Sequence, residues 1–413
     1  VTILQGLFAL AVLLAIAFAL GEDRRAIPLR VVAGGVLLQI ALAALLIKFP
    51  PAVAIVLKIT DGVEALQKAT DAGTSLVFGF LGGAPLPYAE TKPGASFILA
   101  FRAFPMVLTI AALSALLFHW GAMQRIVKVF ALVLRRTLGI GGPLGIGAAV
   151  HIFVGMVEAP LIVRPYLATM SRGEMFALMS CGMAGIAGTV MAIYGAILGG
   201  HVPDALPNII TASIVSTPAA LALAASMIPF TPEPKPAEIV IADPPANSME
   251  AVARGTMDGV KILAGIVALM IVLVAFVHIV DALLSLLPNV AGEPVTLRGA
   301  FAFVFRPLVW LIGVPWPEAE TAAKLMGTKT VINEFVAYLD LAALPKDALG
   351  DRSRLIMTYA LCGFANFGSL GIMVGGMTAM APERRHDIVA LAPRSLVSGT
   401  LATLMSGAVV GMM

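Results

Sequence analysis

Cys181-Gly-Met-Ala-Gly-Ile-Ala-Gly-Thr189 and Cys362-Gly-Phe-Ala-Asn-Phe-Gly-Ser-Leu370 decide how this chain is read. Both lie in apolar runs, both open on Cys-Gly-x-Ala, and they hold the only two cysteines of the 413 residues. Each follows an apolar segment that carries one glutamate, Glu158 before the first and Glu334 before the second. A carboxylate at membrane depth is costly and is kept chiefly where it acts. Two of them in repeated, Gly-broken segments are the sequence mark of a secondary transporter with its site between two repeats.

Composition points the same way. The chain is 59% hydrophobic and 12% charged, whereas a soluble domain carries about a quarter charged residues. The apolar runs are continuous rather than alternating, which selects an all-α integral membrane protein over a transmembrane barrel. A net charge of +3, carried by scattered basic residues, gives nucleic acid nothing to hold. Residues 1–20 lack a basic start and are long enough to span, so no cleavable signal is expected.

Eight runs meet the length of a spanning helix: 3–20, 31–47, 103–118, 176–198, 208–228, 262–280, 355–379 and 395–413. Segments 139–163 and 325–345 are apolar but interrupted by Gly, Pro and charge, and read as two re-entrant helical hairpins. Residues 52–75 mix charge and apolar residues at helical spacing, as an interfacial helix does. The Pro-rich stretch 229–247 reads as a cytoplasmic loop. Four regions follow: 1–138, N-terminal helices; 139–228, a first repeat of hairpin and two helices; 229–321, loop, helix and connection; 322–413, a second such repeat.

Basic residues set the orientation. Arg24, Arg25, Arg30, Arg125, Lys128, Arg135, Arg136, Arg164, Arg172, Lys235, Arg254, Lys261, Arg384, Arg385 and Arg394 share one side if eight helices cross and both termini are outside. Arg352 and Arg354 fall on the other. The first hairpin then enters from the cytoplasm and the second from outside, the opposition an inverted repeat requires.

The candidate site residues have competing roles. Glu158 precedes Pro160, which frees backbone groups for a ligand; a structural pair with Arg164 is the alternative. Glu334 can accept two hydroxyl hydrogen bonds at once, which suits a vicinal diol such as ribose; Lys329 is its possible structural partner. Asn366 and Ser369 are three apart, at the spacing of one helical face, and serve either a polar, neutral ligand or interhelical hydrogen bonding. Phe364 can flank an aromatic ring or simply pack. His151 is a proton relay or a packing histidine. The five His are isolated, and no HExxH, Walker A or nucleophile elbow is present, so neither an enzyme, a metal site nor an organic cofactor is expected.

These motifs resemble the concentrative nucleoside transporter family. Gly327–Tyr338, with Asn333-Glu334-Phe335-Val336-Ala337-Tyr338, is similar to its most recognisable motif; Glu158–Tyr166 and Cys362–Ser369 match two others, in the right order. The resemblance implies a homotrimer in a bacterial inner membrane, with spans one, two, three and six as a scaffold around a mobile, elevator-like body. It implies that Glu334, Asn366 and Ser369 hold the ribose, with Asn333 among the substrate-binding residues. Phe364 would lie beside the base, and Gly155, Met156, Val157 and Glu158 on the base side of the site.

Two departures from the family pattern shape the expectations. Met156 and Val157 stand where the family commonly has Gln-Thr, and cannot hydrogen-bond a nucleobase, so base preference should broaden or shift. His151 and Gly185 stand where sodium-coupled members resemble one another in an Asn and a Ser. With Val154 and Ile186 they form the candidate ion-coupling set. Loss of two side-chain oxygens leads to the expectation of a nucleoside symporter driven by protons, with His151, Glu158 or Glu334 as carrier, and sodium as the alternative. A symporter of a modified nucleoside or nucleobase, and a channel or substrate sensor, are the competing functions.

Overall fold

The computed structural model describes residues 2–91, 96–156, 158–233, 244–289, 292 and 294–413. Among these the chain is all-helical, with no strand. The first part comprises α1 (Thr2–Ala19), α2 (Leu29–Lys48), α3 (Pro50–Phe78), α4 (Leu99–Arg102), α5 (Met106–His119) and α6 (Ala122–Leu138). Then come α7 (Gly142–His151), α8 (Glu158–Ile162), α9 (Arg164–Leu167), α10 (Arg172–Ala184), α11 (Gly188–Leu198) and α12 (Ala205–Met227). After the Pro-rich stretch, much of which lies outside the described residues, follow α13 (Ser248–Leu284) and α14 (Leu297–Leu311). The last part holds α15 (Ala319–Val331), α16 (Glu334–Ala343), α17 (Asp351–Leu361), α18 (Phe367–Met380) and α19 (Arg385–Gly411).

Among the described residues, six helical stretches are long and apolar enough to cross a membrane: Leu29–Lys48, Leu99–His119, Arg172–Leu198, Ala205–Met227, Ser248–Leu284 and Pro382–Gly411. The shorter apolar helices Ile3–Ala19 and Phe367–Met380 add to them. Each of the eight expected runs therefore carries apolar helix. Burial sorts them: the spanning window of α12 is 94% buried and that of α13 only 6%, so α12 is the central post and α13 a peripheral one. α12 packs against α2, α10, α11 and α19, while α13 packs chiefly on α5. Gly255 and Gly259 let α13 approach α5 closely; a Cβ at Gly255 would lie 2.6 Å from Ala115 Cβ.

Two spans are broken where the sequence pattern repeats. α10 and α11 are separated by residues 185–187, and α17 and α18 by 362–366. The freed backbone groups are paired across elements, as buried polar groups must be. Gly188 N–H donates to Phe153 O (3.0 Å), and Phe364 N–H donates to Gly185 O (3.1 Å), joining one break to the other. Gly363 is required by this approach, because a Cβ there would meet Ala184 O at 2.8 Å and Thr403 Cγ2 at 2.6 Å. The two interrupted segments each form a pair of packed helices: α7 with α8, and α15 with α16.

The helix expected over 52–75 is present as α3, longer at both ends and started by prolines in its first turn. Two further amphipathic helices, α6 and α14, did not stand out in the sequence. α6 buries Met123, Val127, Leu134 and Leu138 on one stripe; its Arg and Lys read as loop charge because the segment is too polar to span. Arg352 and Arg354, which broke the orientation pattern, are not free loop charges. Buried Arg354 donates to the carbonyls of Leu341, Leu344, Pro345 and Leu349. Arg352 donates to those of Gly313 and Gly411. Both satisfy carbonyls around helix C-termini.

Candidate functional site

A cavity of about 370 Å³ lies where both breaks and both helix pairs face α13. Each of the four interrupted elements turns a helix N-terminus toward it. Glu158 opens α8, Thr189 lies in the first turn of α11, Glu334 opens α16 and Ser369 lies in the first turn of α18; all four line the cavity. Helix N-termini carry unpaired N–H groups and partial positive charge, which stabilises carboxylates there. This convergence supplies what burial at membrane depth takes from Glu158 and Glu334.

Glu334 is buried and held from two sides. Tyr194 Oη donates to Glu334 Oε1 at 2.7 Å, and Asn366 Nδ2 donates to Glu334 Oε2 at 2.9 Å. Each carboxylate oxygen retains acceptor capacity toward the cavity. Asn366 is fixed in turn, because its Oδ1 accepts from Ser369 N–H at 2.7 Å and so caps α18. Asn333 caps α16 in the same way, accepting from Val336 N–H at 2.9 Å. Asn366 and Ser369 thus do not share a helix face: Asn366 is the extended N-cap before α18, and Ser369 is the third residue of the helix, its N–H held by the cap. The expected division between ligand contact and interhelical bond does not hold for Asn366 either, since it lines the cavity and also joins α18 to α16.

On the opposite wall, Glu158 folds back over Gly155; a Cβ at Gly155 would lie within contact of its carboxylate. Of the candidate substrate residues, Gly155, Met156, Glu158, Asn333, Glu334, Phe364, Asn366 and Ser369 all line the cavity. Val157 lies outside the described residues. Lys329 does not pair with Glu334: its buried ammonium donates to Ala360 O (2.8 Å) and Thr403 Oγ1 (2.9 Å). It therefore satisfies a carbonyl at the C-terminal end of α17, freed by the break that follows.

The candidate coupling residues His151, Val154, Gly185 and Ile186 do not line the cavity. They lie behind it, at and just beyond the C-terminal ends of α7 and α10, where carbonyls collect. The His151 imidazole packs against Gly182 of α10, and its Nε2 has no hydrogen-bond partner among the described residues.

Several lining residues were not singled out from the sequence. Tyr194 is one of five tyrosines and sits in a span; a phenol at that depth needs a partner, which was the available signal. Phe104 and Phe335 pack together with ring centroids 5.3 Å apart. Lys261, with an exposed side chain, marks the mouth of the cavity. The α13 stripe Ile262, Ile266, Leu269, Met270 and Leu273 closes the remaining wall; apolar side chains on an apolar span carry no mark of which face meets a cavity.

Comparison with known proteins agrees with this geometry. The family descriptions "Na+ dependent nucleoside transporter N-terminus", "Nucleoside recognition" and "Na+ dependent nucleoside transporter C-terminus" match residues 8–81, 100–200 and 208–411. An uncharacterized transporter of Haemophilus influenzae is 36% identical, over 100% of this chain and 98% of its own. Sodium/nucleoside cotransporter 1 of Rattus norvegicus is 32% identical, over 98% of this chain and 63% of its own. The solved structure of CNTnw in an inward-facing substrate-bound state has a TM-score of 0.89 at 36% identity, covering 100% of this chain and 98% of that one. Full-length likeness, taken with two glutamates brought to one cavity by broken helices, places the chain in the concentrative nucleoside transporter family, as a multi-pass membrane transporter and not an enzyme.

Proposed function

We propose that the chain is a secondary active symporter that takes up nucleosides across a bacterial inner membrane. The observation that carries this is the Glu334 carboxylate, held by Tyr194 and Asn366 with acceptor capacity left over, at four converging helix N-termini. A vicinal diol donates two hydrogen bonds to such a group. The volume, about 370 Å³, falls within the range of small-molecule sites, and Phe364 offers a face for the base. Met156 on the base side supports a broad or shifted base preference.

In this reading, residues 139–228 and 322–413 are inverted repeats and their helix pairs are re-entrant hairpins. They move as an elevator against the N-terminal helices and α13, within a homotrimer. The shared order of helix pair, broken helix and helix supports the repeat, and the poorly buried α13 supports a helix that faces lipid or another protomer.

Coupling is to protons, with sodium the alternative. Support comes from the carbonyl-rich ends of α7 and α10. A cation is favoured there, yet Gly185 offers no side-chain oxygen and His151 places nearby a ring nitrogen without a partner among the described residues. In the second half a built-in cation, Lys329, holds the end of α17. A protonated His151 would serve the first half similarly, with Glu158 and Glu334 the other candidate carriers. Uptake of uridine and adenosine into proteoliposomes under an imposed proton or sodium gradient tests this. Accumulation driven by the proton gradient alone is expected; accumulation that follows sodium and ignores pH would overturn the coupling, and none under either gradient would overturn the transport reading.

A further inference from the structure

A second cavity, of about 490 Å³, adjoins the first, and Ile193 lines both. Its walls divide by origin. The polar side chains Gln67, Thr70, Asp71 and Arg102 come from α3 and α4, elements of the N-terminal helices. The facing wall is apolar and comes from α11 and α16: Ile193, Ala196, Ile197, Leu339 and Ala342.

The two cavities are offset along the same helices in the same direction. On α11 and just before it, residues from Ala187 to Tyr194 line the first cavity, and Ile193 to Ile197 line the second. On α16, Glu334 and Phe335 line the first, and Leu339 and Ala342 the second. At a rise of 1.5 Å per residue this is a displacement of about 7–10 Å, away from Lys261 at the mouth of the first cavity. Polar groups left opposite an apolar wall gain nothing from it. A shift of α11 and α16 by that distance would bring Tyr194 and Glu334 level with them.

We propose that the second cavity is the stationary half of the outward-facing nucleoside site. This rests on the elevator reading given above. When the mobile body moves outward, the α13 stripe opposite Glu334 is exchanged for Gln67, Asp71 and Arg102. The Asp71 carboxylate accepts from hydroxyls, and the Gln67 amide and Arg102 guanidinium donate to carbonyl or ring-nitrogen acceptors of a base. The outer site thereby gains base contacts that Met156 cannot make, and it selects among nucleosides differently from the inner one.

Thiol protection in the reconstituted full-length protein tests this. Cys181 and Cys362 are both buried, so a membrane-impermeant thiosulfonate reports on an introduced cysteine. Two variants are compared, Gln67→Cys in the second cavity and Leu269→Cys on the α13 stripe, each with saturating uridine present. Slower modification of both is expected. Asp71→Asn should raise the KM for outside uridine about tenfold, the loss of one hydrogen bond to a charged group, and leave the KM for inside uridine unchanged. The unchanged inner KM shows that the variant folds. Protection of Leu269→Cys alone, with outer KM unmoved by Asp71→Asn, would overturn this inference and leave the inner nucleoside site standing. Protection of neither would remove the nucleoside reading of the cavity, and this inference with it.

Discussion

Tyr194 and Glu334 lie 140 residues apart in sequence and meet through a 2.7 Å hydrogen bond from phenol to carboxylate. One sits on the helix after the first break and the other opens a helix of the second pair. The bond orients the carboxylate that is proposed to take the sugar. Tyr194→Phe keeps the ring contacts with Phe335 and Tyr338 but removes the donor. A hydrogen bond to a charged group contributes about 1.5–3 kcal/mol. Uptake KM should rise by about tenfold, with saturating uptake little changed; an unaltered KM would show that Tyr194 does not position Glu334.

Glu334→Gln replaces an acceptor-only group with one that also donates, opposite the Asn366 amide. Two sugar hydrogen bonds are weakened together, so uptake at low nucleoside concentration should fall about 100-fold. Competition distinguishes this from general damage. In the parent protein, 2′-deoxy and 3′-deoxy nucleosides should compete about tenfold more weakly than uridine. In the variant, residual uptake should be inhibited alike by all three.

Gly155→Ala tests the other glutamate. The added methyl would occupy the place of the Glu158 carboxylate, which is the far end of a flexible side chain and can swing away. The fold should hold, with an unchanged melting temperature in detergent, while KM rises several-fold. A large loss of thermal stability with normal KM would mean that Gly155 serves the backbone alone.

Lys329→Met tests a structural role. It removes the two bonds to Ala360 O and Thr403 Oγ1 and leaves a buried carbonyl without that partner. The expected loss is about 1–3 kcal/mol, seen as a lower melting temperature in detergent. A stable variant would show that the break after α17 needs no cation to hold it.

The coupling proposal allows a gain of function. A Cβ at Gly185 would lie 3.4 Å from His151 O and 3.5 Å from Cys181 O, ordinary contact distances, so a serine fits there. The double substitution His151→Asn, Gly185→Ser places two side-chain oxygens beside those carbonyls, and sodium takes oxygen ligands. Uptake in this variant should become sodium-stimulated and lose its dependence on the proton gradient. Unchanged proton drive would exclude this pocket as the coupling site.

Much of the architecture was legible in the sequence because apolar runs, Gly-rich breaks and buried charges are local signals. Glu158, Asn333, Glu334 and Asn366 could be singled out for that reason: carboxylates and amides stand out in apolar surroundings, whereas Gly155 and Met156, which line the same cavity, were pointed to by the family resemblance. The amphipathic helices α6 and α14 were missed because hydropathy rewards uniform segments. The α13 wall was missed for the opposite reason, since a uniformly apolar helix hides which residues turn inward. For Lys329 the sequence offered only Glu334, five residues on, as a possible partner, whereas its partners lie 31 and 74 residues away. Arg352 and Arg354 broke a rule about loops because they anchor main-chain carbonyls instead.

The bond from Phe364 N–H to Gly185 O joins the two breaks through main chain alone. No change of side chain deletes it, short of proline at position 364. Apart from Gly363, where a Cβ would meet Ala184 O at 2.8 Å, such a clasp asks nothing of the side chains around it, so the two halves are free to drift apart in chemistry while staying in register. The first break consists of Gly185, Ile186 and Ala187, and the second ends on Asn366, which caps α18 through Ser369 N–H. In the proposed reading, one half can therefore specialise toward an ion and the other toward a sugar, and a change in what either half recognises leaves the other in place.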